Sequence, residues 1–305
     1  MNAPTKIALP DAVVLEPAQP VRAQPPAPRS RLLTFLSRHP AIAIGGGILA
    51  VVAFLAAFAP WLGTVDPRSL DPGQRLRPPS AEHWFGTDML GRDLYSRVIY
   101  GARISLMVGF SCAFLASVIG VMLGLLSASW RWLDSVMMRV MDGFMSIPSM
   151  LLAIALMAIS PPAVSTVIIA ITIVEVPRIA RVIRGVLLSV REQPFVEAAI
   201  AAGATMPRLI VKHLLPATFS ALSVQAAFAW AAAMIIEASL SFIGAGTPPT
   251  IPSWGNIMAD SKALWQVKPH LVFIPAAFLS VTVLAVNLLG DGLRDALDPR
   301  MGERV

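Results

Sequence analysis

A chain of 305 residues that is 56% hydrophobic and only 14% charged, with a mean hydropathy of +0.69, excludes an ordinary soluble domain. The net charge of +6 raises nucleic acid as a partner, yet no block of like charge or aromatic platform accompanies it, so none is expected. The single cysteine, Cys112, lies inside an apolar run and excludes an intrachain disulfide.

Residues 1–38 are proline-rich and poor in large apolar side chains, which reads as a disordered cytoplasmic tail. An apolar run follows over 41–59, framed by Pro40 and Pro60. Ala57-Phe58-Ala59 has the form of a signal-peptide cleavage site. However, the run exceeds the usual h-region of about 7 to 15 residues, a long segment precedes it, and Pro60 would follow the cut. The reading is a retained transmembrane helix over 39–60, followed by an extracytoplasmic segment over 61–98 and a core membrane domain over 99–291.

Spans of about 20 apolar residues are needed to cross about 30 Å of hydrocarbon. They are expected at 103–127, 137–159, 163–182, 217–243 and 270–290, which gives an all-α, polytopic membrane protein with about six transmembrane helices. Glu175 and Pro177 interrupt the 163–182 span, so it is expected to enter kinked or short. Gly120 and Gly124 form a G-x-x-x-G pair that would let a neighbouring helix approach closely, with ordinary small residues as the alternative. A cytoplasmic tail is expected over 292–305.

Six spans with the N-terminus inside place 16 of the 24 Lys and Arg residues on the cytoplasmic side and 8 outside. That asymmetry favours both termini in the cytoplasm. It also puts the polar-flanked island at 192–216 on the cytoplasmic face. Pro194 suits a first helical turn, Glu197 sits near the positive end of the helix dipole, and Gly203 can end the helix in the left-handed conformation. Thr205 and Pro207 then carry start signals for a second short helix. By spacing alone, the alternative is an amphipathic loop lying on lipid headgroups.

The run Glu197-Ala198-Ala199-Ile200-Ala201-Ala202-Gly203, followed by Ile210, His213, Leu215 and Pro216, resembles the coupling-loop signature of the permease subunits of ATP-binding-cassette importers. Three other blocks extend the resemblance from Pro79 to Arg300: residues 85–93 through 100–106, residues 237–244, and residues 287–300. Together they are similar to the shorter, second permease of the dipeptide, oligopeptide and nickel branch. Glu175-Val176 departs from the pattern, where relatives more often carry an apolar or aromatic pair.

The resemblance implies a division of labour. The partners would be a homologous second permease, two ATPase subunits, an extracytoplasmic solute-binding protein and membrane lipid. Docking of the ATPases would fall on Glu197, Ala198, Ala199, Gly203, Ala204, Ile210, Leu215 and Pro216. The chain contains no G-x-x-x-x-G-K-[ST] loop, so no cofactor is expected on it, and ATP and magnesium would be used by the partner subunits. The implied location is the bacterial inner membrane. The implied cargo is a small peptide, with nickel, glutathione, opines or another small solute as alternatives.

Charges near the membrane should sit at span ends, because a charge at the bilayer centre costs about 2.5–3.5 kcal/mol on insertion scales. Arg139 and Asp142, three residues apart, are expected to pair on one helix face. Glu237, Ser239 and Ser241 are candidates for an outer gate, with helix packing as the competing role. Arg178, Arg181 and Arg184 are expected to meet lipid headgroups, with ATPase contact as the alternative. The four histidines are isolated, no metal or hydrolase motif appears, and no metal or catalytic residue is expected. An ion-gradient-driven transporter would need broken helices in two repeated halves, and no internal repeat is evident.

Overall fold

The structure, a computed structural model, describes residues 36–297. The expected tail over 1–38 lies outside the described residues except for its last three positions, and residues 298–305 lie outside them too. Among the described residues every regular element is helical, apart from one isolated bridge between Thr87 and Asp93. This is an all-α polytopic membrane protein.

Helix α1 (Pro40–Ala57) opens on a proline and ends in an aromatic ladder. Phe54 stacks on Phe58 at 4.4 Å and Phe58 meets Trp61 at 5.1 Å, an arrangement suited to the membrane–water boundary. The segment over 58–93 holds two short 3₁₀ turns, Ala59–Trp61 and Pro72–Gln74, and then a tight loop. Asp93 caps the next helix, its carboxylate accepting from the Ser96 N–H at 2.7 Å.

That helix, α2 (Leu94–Ser129), has 36 residues and runs about 54 Å, more than a bilayer core requires. It is followed by α3 (Arg131–Met145) and α4 (Ser149–Ala158), which meet at an angle of 89°. The span expected over 137–159 is found as a bent pair of helices. Pro148 explains the break, since it offers no N–H and drives Ile147 away from helical backbone angles.

Helix α5 (Val164–Arg191) is one uninterrupted element of 28 residues with Pro177 inside it. The short entry expected there is thus replaced by a helix long enough to cross, with the proline expected to kink it retained inside. Its Glu175, Arg178, Arg181 and Arg184 keep it from qualifying as a span on composition. Among the described residues, four helices are long and apolar enough to cross a membrane, and a fifth traverse arises if α3 and α4 count as one.

After α5 come α6 (Pro194–Ala201) and α7 (Met206–Leu209). A π-helical turn over Ile210–Leu214 then leads into α8 (Leu215–Ile243). The second loop helix is not a separate element, because Met206–Ile243 forms one 38-residue rod. Helix α9 (Trp254–Ser261) is short, and α10 (His270–Leu297) carries the last span beyond 290, so the tail expected from 292 begins as helix.

Helices α2, α5 and α8 form the centre of the bundle. Near one end Ile179, Ile183 and Leu187 pack with Ala113, Ala116 and Ala229; near the other Val108, Cys112, Ile171, Ala233 and Leu240 interlock. A Cβ on Gly120 would lie 2.8 Å from the Ile179 Cβ, and one on Gly124 would lie 3.1 Å from the Ala180 carbonyl oxygen. The G-x-x-x-G pair is therefore the seam between α2 and α5, where a larger residue has no room. Helices α1 and α10 close the flank around Trp254, Leu271 and Val52.

Candidate functional site

The loop over 192–216 is built on three buried anchors. Val196, Leu209 and Leu214 are sealed into the same cluster as Leu187 of α5, so the loop is fastened to the bundle. Burying side chains of this size stabilises each attachment by about 1.5–3 kcal/mol. Around them the remaining positions face outward. Glu197, Ala198, Gly203 and Pro216 are exposed, while Ala199, Ala204, Ile210 and Leu215 are half-buried.

The turn between the two helices has a defined hydrogen-bond logic. Gly203 donates to the Ile200 carbonyl at 2.9 Å and Ala204 donates to the Ala199 carbonyl at 3.0 Å, which satisfies the orphan carbonyls at the end of α6. This Schellman arrangement needs a left-handed residue, and Gly203 has φ +84°. A Cβ at that position would meet nothing within 4 Å. Glycine is favoured there by backbone conformation and not by crowding.

Large apolar side chains surround this turn in the open. Phe195, Ile200, Met206 and Val211 are exposed, and Phe195 leans on the His213 ring at 6.2 Å. Sequence reasoning singled out the alanines and passed over these four. Spacing alone separates only Phe195, which lies about 100° around α6 from the core-facing Val196; Ile200, four positions on, shares the side of Val196 and is exposed near the end of the helix. An apolar patch beside an acidic residue, outside the long apolar helices, has the character of a protein docking surface.

The basic residues of α5 are engaged within the chain. Arg184 grips the Asp134 carboxylate of α3 through Nε and Nη2, the latter at 2.6 Å, and Arg181 bonds Asp142. Arg178 reaches Glu175 at 3.3 Å. The expected pairing of Arg139 with Asp142 is corrected, since Asp142 turns across to Arg181 on the neighbouring helix. Each of the three arginines thus has a carboxylate partner within the chain, and Arg178 and Arg181 keep about half of their side-chain surface open.

At the other end of the bundle, Glu237 and Ser241 are fully buried, and Ser239 is half-buried. Ser241 Oγ donates to Glu237 Oε1 at 2.8 Å, and Thr247 approaches the same oxygen at 3.3 Å. Asn256 Nδ2 donates to the Thr247 and Ile251 carbonyls at 3.1 and 3.0 Å. These bonds fasten the 244–256 segment onto α8. Nearby, Asp88 and Asp260 alternate with Arg92 and Arg97 in a compact charge ring, with Arg97 Nη2 2.8 Å from Asp260. Sequence reasoning did not single out Asp260, which lies 163 positions from Arg97.

A multi-span helical bundle with an anchored, outward-facing elbow between two long helices is the architecture of a transport permease. Residues 117–303 match the family described as "Binding-protein-dependent transport system inner membrane component", and residues 30–79 match the N-terminal TM domain of oligopeptide transport permease C. The chain belongs to this family of inner-membrane transport components. It is 52% identical over 267 residues to the probable peptide ABC transporter permease protein y4tQ of Sinorhizobium fredii, covering 88% of this chain and 91% of the relative. It is 42% identical to the dipeptide transport system permease protein DppC of Alkalihalophilus pseudofirmus, covering 84% of this chain and 85% of the relative. It is 40% identical to the glutathione transport system permease protein GsiD of Salmonella typhimurium, covering 88% of each. An inward-facing structure of the MetNI methionine ABC transporter shares the fold, with a TM-score of 0.57 at 20% identity over 67% of this chain and 98% of that one.

Proposed function

We propose that this chain is the second permease of an ATP-driven importer for small peptides and that the 192–216 loop is its coupling element. The observation that carries the reading is the loop itself, with Phe195, Ile200 and Met206 exposed around Glu197 and Gly203 while Val196, Leu209 and Leu214 tie it to the core. Such a surface suits the cleft of a soluble ATPase, which would bind ATP and magnesium in place of this chain. A homologous permease, a second ATPase and an extracytoplasmic binding protein would complete the assembly. The peptide assignment is supported by the peptide and dipeptide relatives, and glutathione, itself a short peptide, falls within the same class.

Both termini and the loop would then face the cytoplasm. The gate role of Glu237, Ser239 and Ser241 takes the form of a latch, since opening the outer face requires moving the segment that Glu237 and Ser241 hold. The test is uptake of labelled dipeptides by cells lacking the gene, together with pull-down of the ATPases by the tagged chain. Loss of uptake restored by the intact gene, with ATPases co-purifying, is expected. Normal dipeptide uptake without the gene would overturn the cargo, and ATP hydrolysis by the purified chain alone would overturn the division of labour.

A further inference from the structure

Helix α1 has 18 residues and measures about 27 Å, barely enough for a hydrocarbon core of about 30 Å, so its two ends must lie at the membrane boundaries. The level of its last residues is thereby fixed. Arg103 of α2 is tied to that level, because its Nε donates to the Ala56 carbonyl and its Nη2 donates to the Ala57 carbonyl at 2.8 Å. These bonds finish the helix but neutralise no charge. Among the described residues neither Arg103 nor Arg68 forms an ion pair, and the Arg68 side chain makes no hydrogen bond.

Both arginines line one cavity of about 630 Å³, together with Thr64, Asp66, Tyr100 and Ile251. That volume lies within the range of about 300–1,000 Å³ typical of small-molecule sites. Asp66 is the one carboxylate of the lining, and its Oδ1 already accepts from the Arg68 backbone N–H at 2.9 Å. Two guanidiniums therefore face a single carboxylate. The Arg103 guanidinium also sits 5.1 Å from the Tyr100 ring centroid, a cation–π contact that supports its plane without cancelling its charge. Phe58 and Trp61, both exposed, flank the lining residue Pro60, so the aromatic band of the boundary reaches the rim of the cavity. A planar fork of N–H donors matches the oxygens of a phosphate, and lipid phosphate is the anion found at this level. We propose that this cavity is a phospholipid headgroup site in which Arg68 and Arg103 bind the phosphate, with the acyl chains in the surrounding bilayer. Neither the cargo nor the coupling elbow enters this assignment.

The test uses the full chain with its co-purifying subunits, stripped of lipid in detergent and titrated with lipid in mixed micelles. Three probes separate the parts of the ligand: phosphatidylglycerol, diacylglycerol with the same tails, and glycerol phosphate alone. Bound probe is counted by mass spectrometry of the washed complex. Phosphatidylglycerol should bind about tenfold more tightly than diacylglycerol, the worth of one charge-assisted hydrogen bond. Arg68→Gln should erase that margin, and Arg68→Lys should keep part of it. Because the Arg68 side chain bonds to no other described residue, the fold should stand in both variants. Arg77→Gln, at an exposed arginine of the same segment that does not line the cavity, should leave the margin unchanged. Equal binding of phosphatidylglycerol and diacylglycerol would overturn the proposal, as would a margin that survives Arg68→Gln. A surviving margin together with weaker recruitment of the solute-binding protein would hand Arg68 to that partner instead. Glycerol phosphate competing as strongly as the whole lipid would mean a site for a dissolved anion and would overturn the lipid assignment too. Uptake and ATP hydrolysis are not read, so failure here leaves the importer reading standing.

Discussion

Arg97 Nη1 and Asp88 Oδ2 meet at 2.6 Å with both side chains sealed from solvent, and the same carboxylate also receives Arg92 at 2.6 Å. One buried carboxylate thus balances two guanidiniums, while Asp260, 31% exposed, supplies the second negative charge from α9. Removing one partner of a buried pair costs about 3–5 kcal/mol, because the other charge is left without compensation. Asp88→Ala should therefore lower the thermal midpoint of the detergent-solubilised chain far more than Asp260→Ala, whose site admits water. Equal shifts for the two would show that burial does not control this ring.

Gly203 offers a separation of conformation from crowding. A left-handed backbone costs a residue with a Cβ about 1–2 kcal/mol, and a branched residue is a poor occupant, whereas asparagine enters that region more readily. Gly203→Val should reach the membrane at normal abundance yet lose most peptide uptake and most bound ATPase. Gly203→Asn should retain both, and Ser189→Ala, at an exposed position of α5, is the matched control. Equal uptake by the Val and Asn variants would break the link between the turn and coupling. Glu197→Lys should act in the same direction as Gly203→Val by placing a cation at the positive end of α6.

Much of this elbow was legible in the sequence because short-range rules govern it. Pro194, Glu197 and Gly203 each act within one helical turn, so the start, polarity and end of α6 could be read locally. The partners of Arg184 and Asp142 could not be, because Asp134 and Arg181 sit on different helices and sequence spacing carries no information about which helices touch. The same holds for Asp260. Length and apolarity located the crossings, but a test by composition passes over α5, whose charges find carboxylates inside the protein. The break at Pro148 was open to local reading, since proline after Ile147 is a known stop; the apolar residues on both sides masked it.

The seam between α2 and α5 predicts a size-dependent defect with a specific remedy. Gly120→Val forces a side chain against Ile179, whose Cγ2, the atom that alanine at 179 removes, would lie 2.7 Å from the new Cβ. Overpacking of this kind costs about 1–3 kcal/mol. The variant should fall in thermal stability, and Ile179→Ala in the same chain should recover part of the loss although it is harmful alone. A double variant as weak as the sum of the two singles would mean that the residues do not share this contact.

Orientation is checked with impermeant thiol reagents on intact cells. Leu70→Cys should label from outside, and Ala202→Cys should label only after the membrane is opened; both positions are exposed. The buried Cys112 should keep the background low. Labelling of position 202 in sealed cells would reverse the topology and separate the elbow from any cytoplasmic ATPase.

The fusion of the elbow's second half with α8 gives the molecule a mechanical property. Met206 and Ile243 are ends of one rod of 38 residues, about 57 Å long, whose far end carries Glu237 and the cap fastened to it. Under the proposed docking, a push on Met206 would travel along one continuous helix instead of a slack linker. The π-helical turn over Ile210–Leu214 is the compliant point, where the rod can gain or lose a fraction of a turn. Stiffness above that turn and give within it would let the two faces of the protein keep time with each other.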